Sequence, residues 1–209
     1  VQFHPAMVAA KKMEKKIHDQ LEESNAKKQL RSTAFEAALF GTGIMKGPFA
    51  VDKEYPSWNE EGEYNPLFKT MPQTSNVSIW NFYPDPDASN TDDAEYVIER
   101  QNYNKEWWEH AMDEDNEDDY SQRFEVLEFW GFVDRSVIEQ YDVDIPSELR
   151  DVDQVNVNIW ICNGCVLRLV MNPFTPAYIP YYVTPYEMNP YTIFGVGIAE
   201  NMDDTQTLM

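Results

Sequence analysis

The chain has 209 residues, 43% of them hydrophobic and 14% aromatic, with a formal net charge of −21. That much apolar and aromatic mass is enough to bury a core and excludes a disordered chain, while the acidity excludes a protein that grips nucleic acid through its phosphates. No apolar run approaches the roughly 18–20 residues of a membrane span, and two cysteines make no disulfide framework, which suits synthesis in a reducing cytoplasm.

Residues 6–23 predict a helix, because Met13, Ile17 and Leu21 recur every four positions with lysines and acids on the other sides. Ser24 and Asn25 break it and can cap a second helix over 26–40. In that helix Leu30, Ala34, Ala37 and Ala38 form a small-residue face with Phe35 and Leu39 beside it, and Gly41 and Gly43 end it. The expected unit is a helical hairpin. The charge is uneven: residues 1–31 hold seven basic side chains against four acids, a balance of +3, so the remaining 178 residues carry −24. With acids interleaved, the lysines of the first helix read as a solvated face rather than a nucleic-acid or lipid surface.

Ile44 to Val51 reads as strand, and 52–76 as a polar loop punctuated by Pro56, Pro66 and Pro72. The β-branched and aromatic run Val77 to Tyr83 predicts another strand, followed by the turn-rich Pro84-Asp-Pro-Asp-Ala-Ser-Asn. Ala94 to Glu99 is expected as strand, 103–112 as a short helix, 113–119 as an acidic loop and Phe124 to Val133 as strand. Ser136 to Tyr141 predicts a helical turn, before a loop around Pro146. Over Val155 to Val170, two strand-like runs flank Asn163-Gly164, a strong hairpin signal. From Pro180 the chain becomes an aromatic arm in which Pro185 and Pro190 forbid helix. Gly195 and Gly197 then allow a bend, after which Ile198, Met202 and Met209 share a helical face and Glu200, Asp203 and Asp204 place negative charge in the first turns. Read this way, the bend glycines redirect the chain rather than fill a core, so valine there is expected to harm assembly more than stability. The prolines of the arm are expected to keep it from pairing fully in its own sheet, leaving its tyrosines for a neighbour.

Few residue patterns suggest chemistry. Cys162-Asn-Gly-Cys165 has the spacing of redox and zinc pairs, but lies across a hairpin turn rather than at a helix start and has no second ligand pair, so two facing thiols are expected. Asp113, Asp115 and Glu117 alternate like a calcium loop, but Asp118 occupies the glycine position and Phe124 the final glutamate position. The turn at Asp85, Asp87 and Ser89 fails in the same way, at Asn90 and Tyr96. His4, His18 and His110 are scattered and no serine sits in a nucleophile context. Gly41-Thr-Gly43 and Gly195-Val-Gly197 signify bends. Paired carboxylates are uninformative among 37 acids. Trp58, Trp80, Trp107, Trp108, Trp130 and Trp160 are expected in core and interface, with a sugar-binding groove as the competing use. No catalytic, cofactor-binding or metal-binding residue is therefore assigned, no cofactor is expected, and the protein is not expected to be an enzyme.

One ordered set of motifs resembles a known family. Glu187, Pro190, Gly195, Gly197, Ile198, Asp204 and Gln206 resemble the segment entering the long stem helix of tailed-phage portal proteins, the head-to-tail connectors. The helical pair running into Phe40-Gly-Thr-Gly-Ile-Met-Lys46 is similar to the early region of podovirus-type portals. Trp80-Asn-Phe-Tyr-Pro-Asp-Pro-Asp-Ala88 with Asp92-Asp-Ala94, Glu128-Phe-Trp-Gly-Phe132 and Met171-Asn-Pro173 follow in the same order. The resemblance spans about residue 6 to 209. It implies a subunit of a homo-oligomeric ring, usually a dodecamer, at the portal vertex of a bacteriophage head, assembled in the host cytoplasm and residing in the virion. It implies partners in terminase, capsid and tail adaptor proteins, and DNA that passes during packaging and ejection without sequence-specific binding. No membrane is involved. The chain would be the N-terminal wing portion up to the start of the stem helix. The expected fold is α+β: a helical hairpin over 1–43, packed beside a mainly antiparallel β-rich wing-like body over 44–179. An extended arm over 180–209 then leads into a helix. An acidic, aromatic-rich carbohydrate-binding module is the alternative function, and a hydrolase using paired carboxylates the third.

Overall fold

The computed structural model describes residues 3–59, 61–104, 123–141, 152–174, 176 and 178–207. The elements are α1 (Phe3–Glu23), α2 (Ala26–Phe40), β1 (Thr42–Tyr55), β2 (Leu67–Val77), β3 (Phe82–Pro84), β4 (Tyr96–Asn104), β5 (Arg123–Asp134), α3 (Arg135–Ile138), β6 (Gln154–Cys162), β7 (Cys165–Met171), β8 (Tyr181–Pro185) and α4 (Ile198–Thr207). The fold is α+β, with an N-terminal helix pair, two antiparallel sheets and a short C-terminal helix. The acidic run 113–119, the expected helix beyond Asn104 and the loop around Pro146 lie outside the described residues. Contacts gather the chain into two compact units. One is Val1–Val77 with Pro180–Met188 and Gly195–Met209; the other is Ser78–Ile179 with Asn189–Phe194.

In the first unit the sheet order is β2-β1-β8, so the long, glycine-rich β1 is central and both outer strands are edges. The expected polar loop over 52–76 is mostly strand: β1 runs on to Tyr55 and β2 starts at Leu67, paired from Tyr55↔Leu67 to Ile44↔Val77. Pro72 had argued for loop, but at an edge strand a missing N–H costs little. Pro48, in the central strand, falls where the register shifts between Lys46 and Phe49, a bulge that spares the ladder. The arm joins this sheet too, with Tyr181 to Pro185 pairing against Lys46 to Thr42 and Tyr181 fully buried. Lys46, itself buried, lays its ammonium 5.4 Å from the Tyr181 ring centre, a cation–π contact. The expectation that the arm saves its pairing for a neighbour is thus corrected for its first five residues; only the outer edge of β8 stays open.

Helix α2 docks on this sheet through a face that includes Ala37 and, in part, Ala38 of the expected small-residue face, but not Leu30 or Ala34. Ala26, Thr33 and Ala37 are buried, whereas Leu30, Ala34, Phe35 and Leu39 are exposed. The contact is polar. Thr33 Oγ1 donates to Asn76 Oδ1 at 2.7 Å, Asn76 Nδ2 donates to Glu36 Oε1 at 3.1 Å, and the Asn76 amide donates to Gln29 Oε1 at 3.0 Å. Helix α1 ends just before Asn25, which sits in the left-handed region at φ 55° and starts α2. Every described side chain of α1 is exposed apart from half-buried Gln20, so only its C-terminal end touches the rest of the unit.

In the second unit the sheet order is β3-β4-β5-β6-β7. The expected single strand over Val77 to Tyr83 is broken: β2 ends at Val77, a 3-10 turn occupies Ile79–Asn81, and β3 starts at Phe82. Asn81 Oδ1 and the Trp80 carbonyl are instead held by the Arg100 guanidinium, at 3.1 and 3.3 Å. The Asn163-Gly164 turn joins β6 to β7 as expected, with both residues at positive φ. One sheet face packs Val155, Val157 and Ile159 against Ile138 of α3, with Phe129 and Leu169 around them. This is one buried cluster of the unit; on the other sheet face Phe82, Val97, Val126, Trp130 and Cys162 are buried too.

Candidate functional site

The sequence motifs resolve into structural roles wherever they are described. Cys162 and Cys165 face each other across the turn as free thiols, one buried and one exposed. Burial pushes the Cys162 thiol pKa up, with Cys165 and Glu125 adding to the effect, so it is the less reactive form that is favoured. The Asp85–Asn90 turn spends its oxygens on backbone. Asp85 Oδ1 accepts from the Asp87 amide (3.0 Å), Asp85 Oδ2 from the Glu95 amide (3.2 Å), and Asn90 Oδ1 from the Asp92 and Asp93 amides. Among the described residues no group of three or more His, Cys, Asp or Glu side chains converges as metal ligands would. His18 lies on exposed α1, 3.3 Å from Glu22; the side chains of His4 and His110 lie outside the described residues.

The glycine pairs meet. Gly41 caps α2 in the left-handed region at φ 85°. A Cβ on Gly195 would stand 2.6 Å from both the Gly41 and Glu187 carbonyl oxygens, and one on Gly197 would stand 2.6 Å from the Gly41 nitrogen. Around this contact the Tyr186 amide donates to Gly41 O (2.8 Å), the Gly195 amide to Thr42 Oγ1 (2.8 Å) and the Val196 amide to Glu187 O (3.0 Å). The Glu187 carboxylate accepts from Asn201 Nδ2 at 2.8 Å and so ties the bend to α4. Three backbone segments thus cross where no side chain fits, which corrects the view that these glycines merely redirect the chain.

In the second unit the sheet face opposite Ile159 mixes buried apolar side chains (Val97, Val126, Trp130) with polar ones. Phe82, Glu99, Glu128, Trp160 and Arg168 occupy one row across the five strands. Glu99 and Glu128 are directly opposed and both buried, a carboxylate pair the sequence could not single out. Glu128 Oε1 accepts from Trp130 Nε1 (2.7 Å) and Asn158 Nδ2 (3.1 Å), and its Oε2 from Gln101 Nε2 (2.7 Å). Three donors thus converge on this one buried carboxylate. Tyr103 donates to Gln101 Oε1 at the end of this network.

The tryptophans are dispersed. Trp130 is buried, Trp160 is half-buried with Tyr103 stacked on it, and Trp58 and Trp80 are about two-thirds exposed; Trp107 and Trp108 lie outside the described residues. Trp80 and Tyr83 border an open groove of about 700 Å³ beside β3, closed on one side by Thr192, Ile193 and Phe194. The Arg100 guanidinium lies over the Tyr83 ring at 5.8 Å. Neither Tyr83 nor Arg100 was singled out from the sequence; an exposed Trp-x-x-Tyr at a strand start was the available signal.

Among the described residues, most of the large exposed apolar side chains belong to the first unit. On α1, Met13, Ile17 and Leu21 are half to two-thirds exposed, and on α2 so are Leu30 and Phe35. At the far end of the β1–β2 hairpin, Trp58 meets Tyr64 edge to face at 6.0 Å, and both are exposed with Leu67 and Phe68. Side chains this large, grouped on one unit, mark surface that gains by being covered. No protein-family model and no curated protein matches the chain.

Proposed function

We propose that the chain is a structural subunit of a homo-oligomeric portal-type ring, a passage for DNA at the head–tail vertex of a phage, without catalysis of its own. The observation that carries the assembly reading is the exposed apolar surface of the first unit: two helix stripes and an aromatic hairpin end, more than a solitary subunit has reason to leave in water. The ordered motif resemblance supports the more specific portal identity, with terminase, capsid and tail adaptor proteins as its partners. A net charge of −21 fits a wall along which phosphate slides without being held. Electron microscopy of the full-length protein tests the reading. Closed rings with a central channel are expected; a protein that stays a compact monomer at high concentration overturns it.

A carbohydrate-binding role has one observation in its favour, the open groove with Trp80 and Tyr83 exposed at its edge and Arg100 packed on Tyr83. Tryptophan fluorescence titrated with soluble oligosaccharides separates the two readings. A saturable change that Trp80→Ala abolishes would favour the sugar reading.

A further inference from the structure

Helix α1 combines three properties. Ala6, Ala10, Met13, Ile17 and Leu21 are spaced 4, 3, 4 and 4, a narrow apolar stripe, and all are exposed. Lys11, Lys12, Lys15 and Lys16 make its middle basic in a chain that is otherwise strongly acidic. Its attachment is confined to the C-terminal end, where Glu23 bonds Lys69 at 2.8 Å and the Glu23 carbonyl lies 3.5 Å from Lys53 Nζ. A 21-residue helix is about 30 Å long, and most of this one packs on nothing described. In proteins most helical stability comes from packing an amphipathic face, so such an arm calls for a partner surface.

A complementary surface exists at the end of the β1–β2 hairpin. Lys53 and Lys69 are paired in register and mark the face on which the end of α1 sits. Strand alternation turns Asp52, Glu54, Phe68 and Thr70 to the reverse face. There Asp52 accepts from Thr70 and Glu54 from Tyr64, with Trp58 against Tyr64 and with Glu61 and Glu63 in the adjoining turn. This reverse face is acidic and aromatic, as α1 is basic and aliphatic, and it lies across the sheet from the chain's own helix.

We infer that α1 is an exchange arm: its Met13–Ile17–Leu21 stripe docks on the acidic, aromatic hairpin end of a second copy of this chain, guided by its lysines. The contact joins two different surfaces; repeated head to tail it is heterologous, the kind that propagates and closes into rings. It rests on the ring-subunit reading and assigns that reading an interface. A basic amphipathic helix also suits an anionic membrane surface, but the −24 on the rest of the chain opposes approach to anionic lipid.

Charge reversal tests the inference by sedimentation velocity over a concentration series. The wild-type chain is expected to associate increasingly with concentration. An arm variant (Lys11→Glu, Lys12→Glu, Lys15→Glu, Lys16→Glu) and a hairpin variant (Glu54→Lys, Glu61→Lys, Glu63→Lys) should each associate at least about tenfold more weakly. A one-to-one mixture of the two should recover association, because each reversed surface then meets its opposite. Circular dichroism spectra matching the wild type establish that both variants fold. Association that survives both variants overturns the arm while leaving the ring reading intact. A wild-type chain that stays monomeric, or that instead binds phosphatidylserine vesicles through α1, overturns the arm as well, and rings in micrographs of the full-length protein still decide the ring reading separately.

Discussion

At Gly195 and Gly197 the decisive quantity is the space that is missing. Neither has a positive φ, so these residues are glycine because backbone from α2 and from the Glu187 loop occupies the place of a Cβ. Gly195→Val and Gly197→Val should each destabilise the protein by about 3 kcal/mol, comparable with the core truncation Ile159→Ala, with urea unfolding as the measurement. Tyr103 makes a second prediction, one of pH. Burial, followed by the Glu128 and Glu99 charges, pushes its phenol pKa up to about 12 from the ordinary 10.0. A raised folded-state pKa contributes stability that is complete below the unfolded pKa and is lost as pH rises through the folded one. Wild type should therefore lose stability more steeply than Tyr103→Phe between about pH 10 and pH 12, read from thermal melts of both proteins.

The docking of α2 onto β2 belongs to the scale of elements. Asn76→Ala removes an acceptor of Thr33, which keeps the Gln29 carbonyl, together with the donor to half-buried Glu36, and should cost about 1 kcal/mol. Leu30→Ala, on the exposed face of the same helix, should change stability by less than about 0.5 kcal/mol. This contrast reverses the apolar-stripe reading of α2 and shows where sequence was legible. The bounds of α2 followed from Asn25 and Gly41, and the β6–β7 hairpin from Asn163-Gly164, because breakers and turn formers act locally. The buried face of α2 was not legible, since apolar periodicity marks a surface that wants cover without saying who provides it. Strand β2, LFKTMPQTSNV, was missed because its polar residues sit at a sheet edge and its proline lies where pairing on one side is dispensable. The opposed Glu99 and Glu128, like the groove at Trp80 and Tyr83, depend on register between distant strands, which no local pattern encodes.

For the molecule as a whole, net charge makes the plainest prediction. At moderate salt the protein should not shift duplex DNA in a gel; tight, salt-sensitive binding would show that the lysines of α1 act as a nucleic-acid patch. The course of the chain through its two units bears on something else, the order in which they can form during synthesis. Residues 78–179 supply nearly all of the second unit in one continuous stretch, whereas the first needs β8 and the Gly195–Gly197 crossing to meet residues made some 150 positions earlier. As the polypeptide leaves the ribosome, the inner unit can acquire its β4–β7 sheet while β1 still waits for an edge partner. Joining ends so far apart costs loop entropy that only the finished contact offsets, so completion of the first unit is the late step. A chain ending at Ile179 should accordingly keep slow hydrogen exchange at the amides of β5 and β6 and lose it at those Thr42 to Lys46 amides that face β8 rather than β2. In the complete chain, the same β1 amides should become protected last when refolding is followed by pulsed exchange. Until β8 emerges, the nascent protein would then display an unpaired β1 edge in addition to its apolar helices, a window in which a chaperone or a sister chain has most to bind.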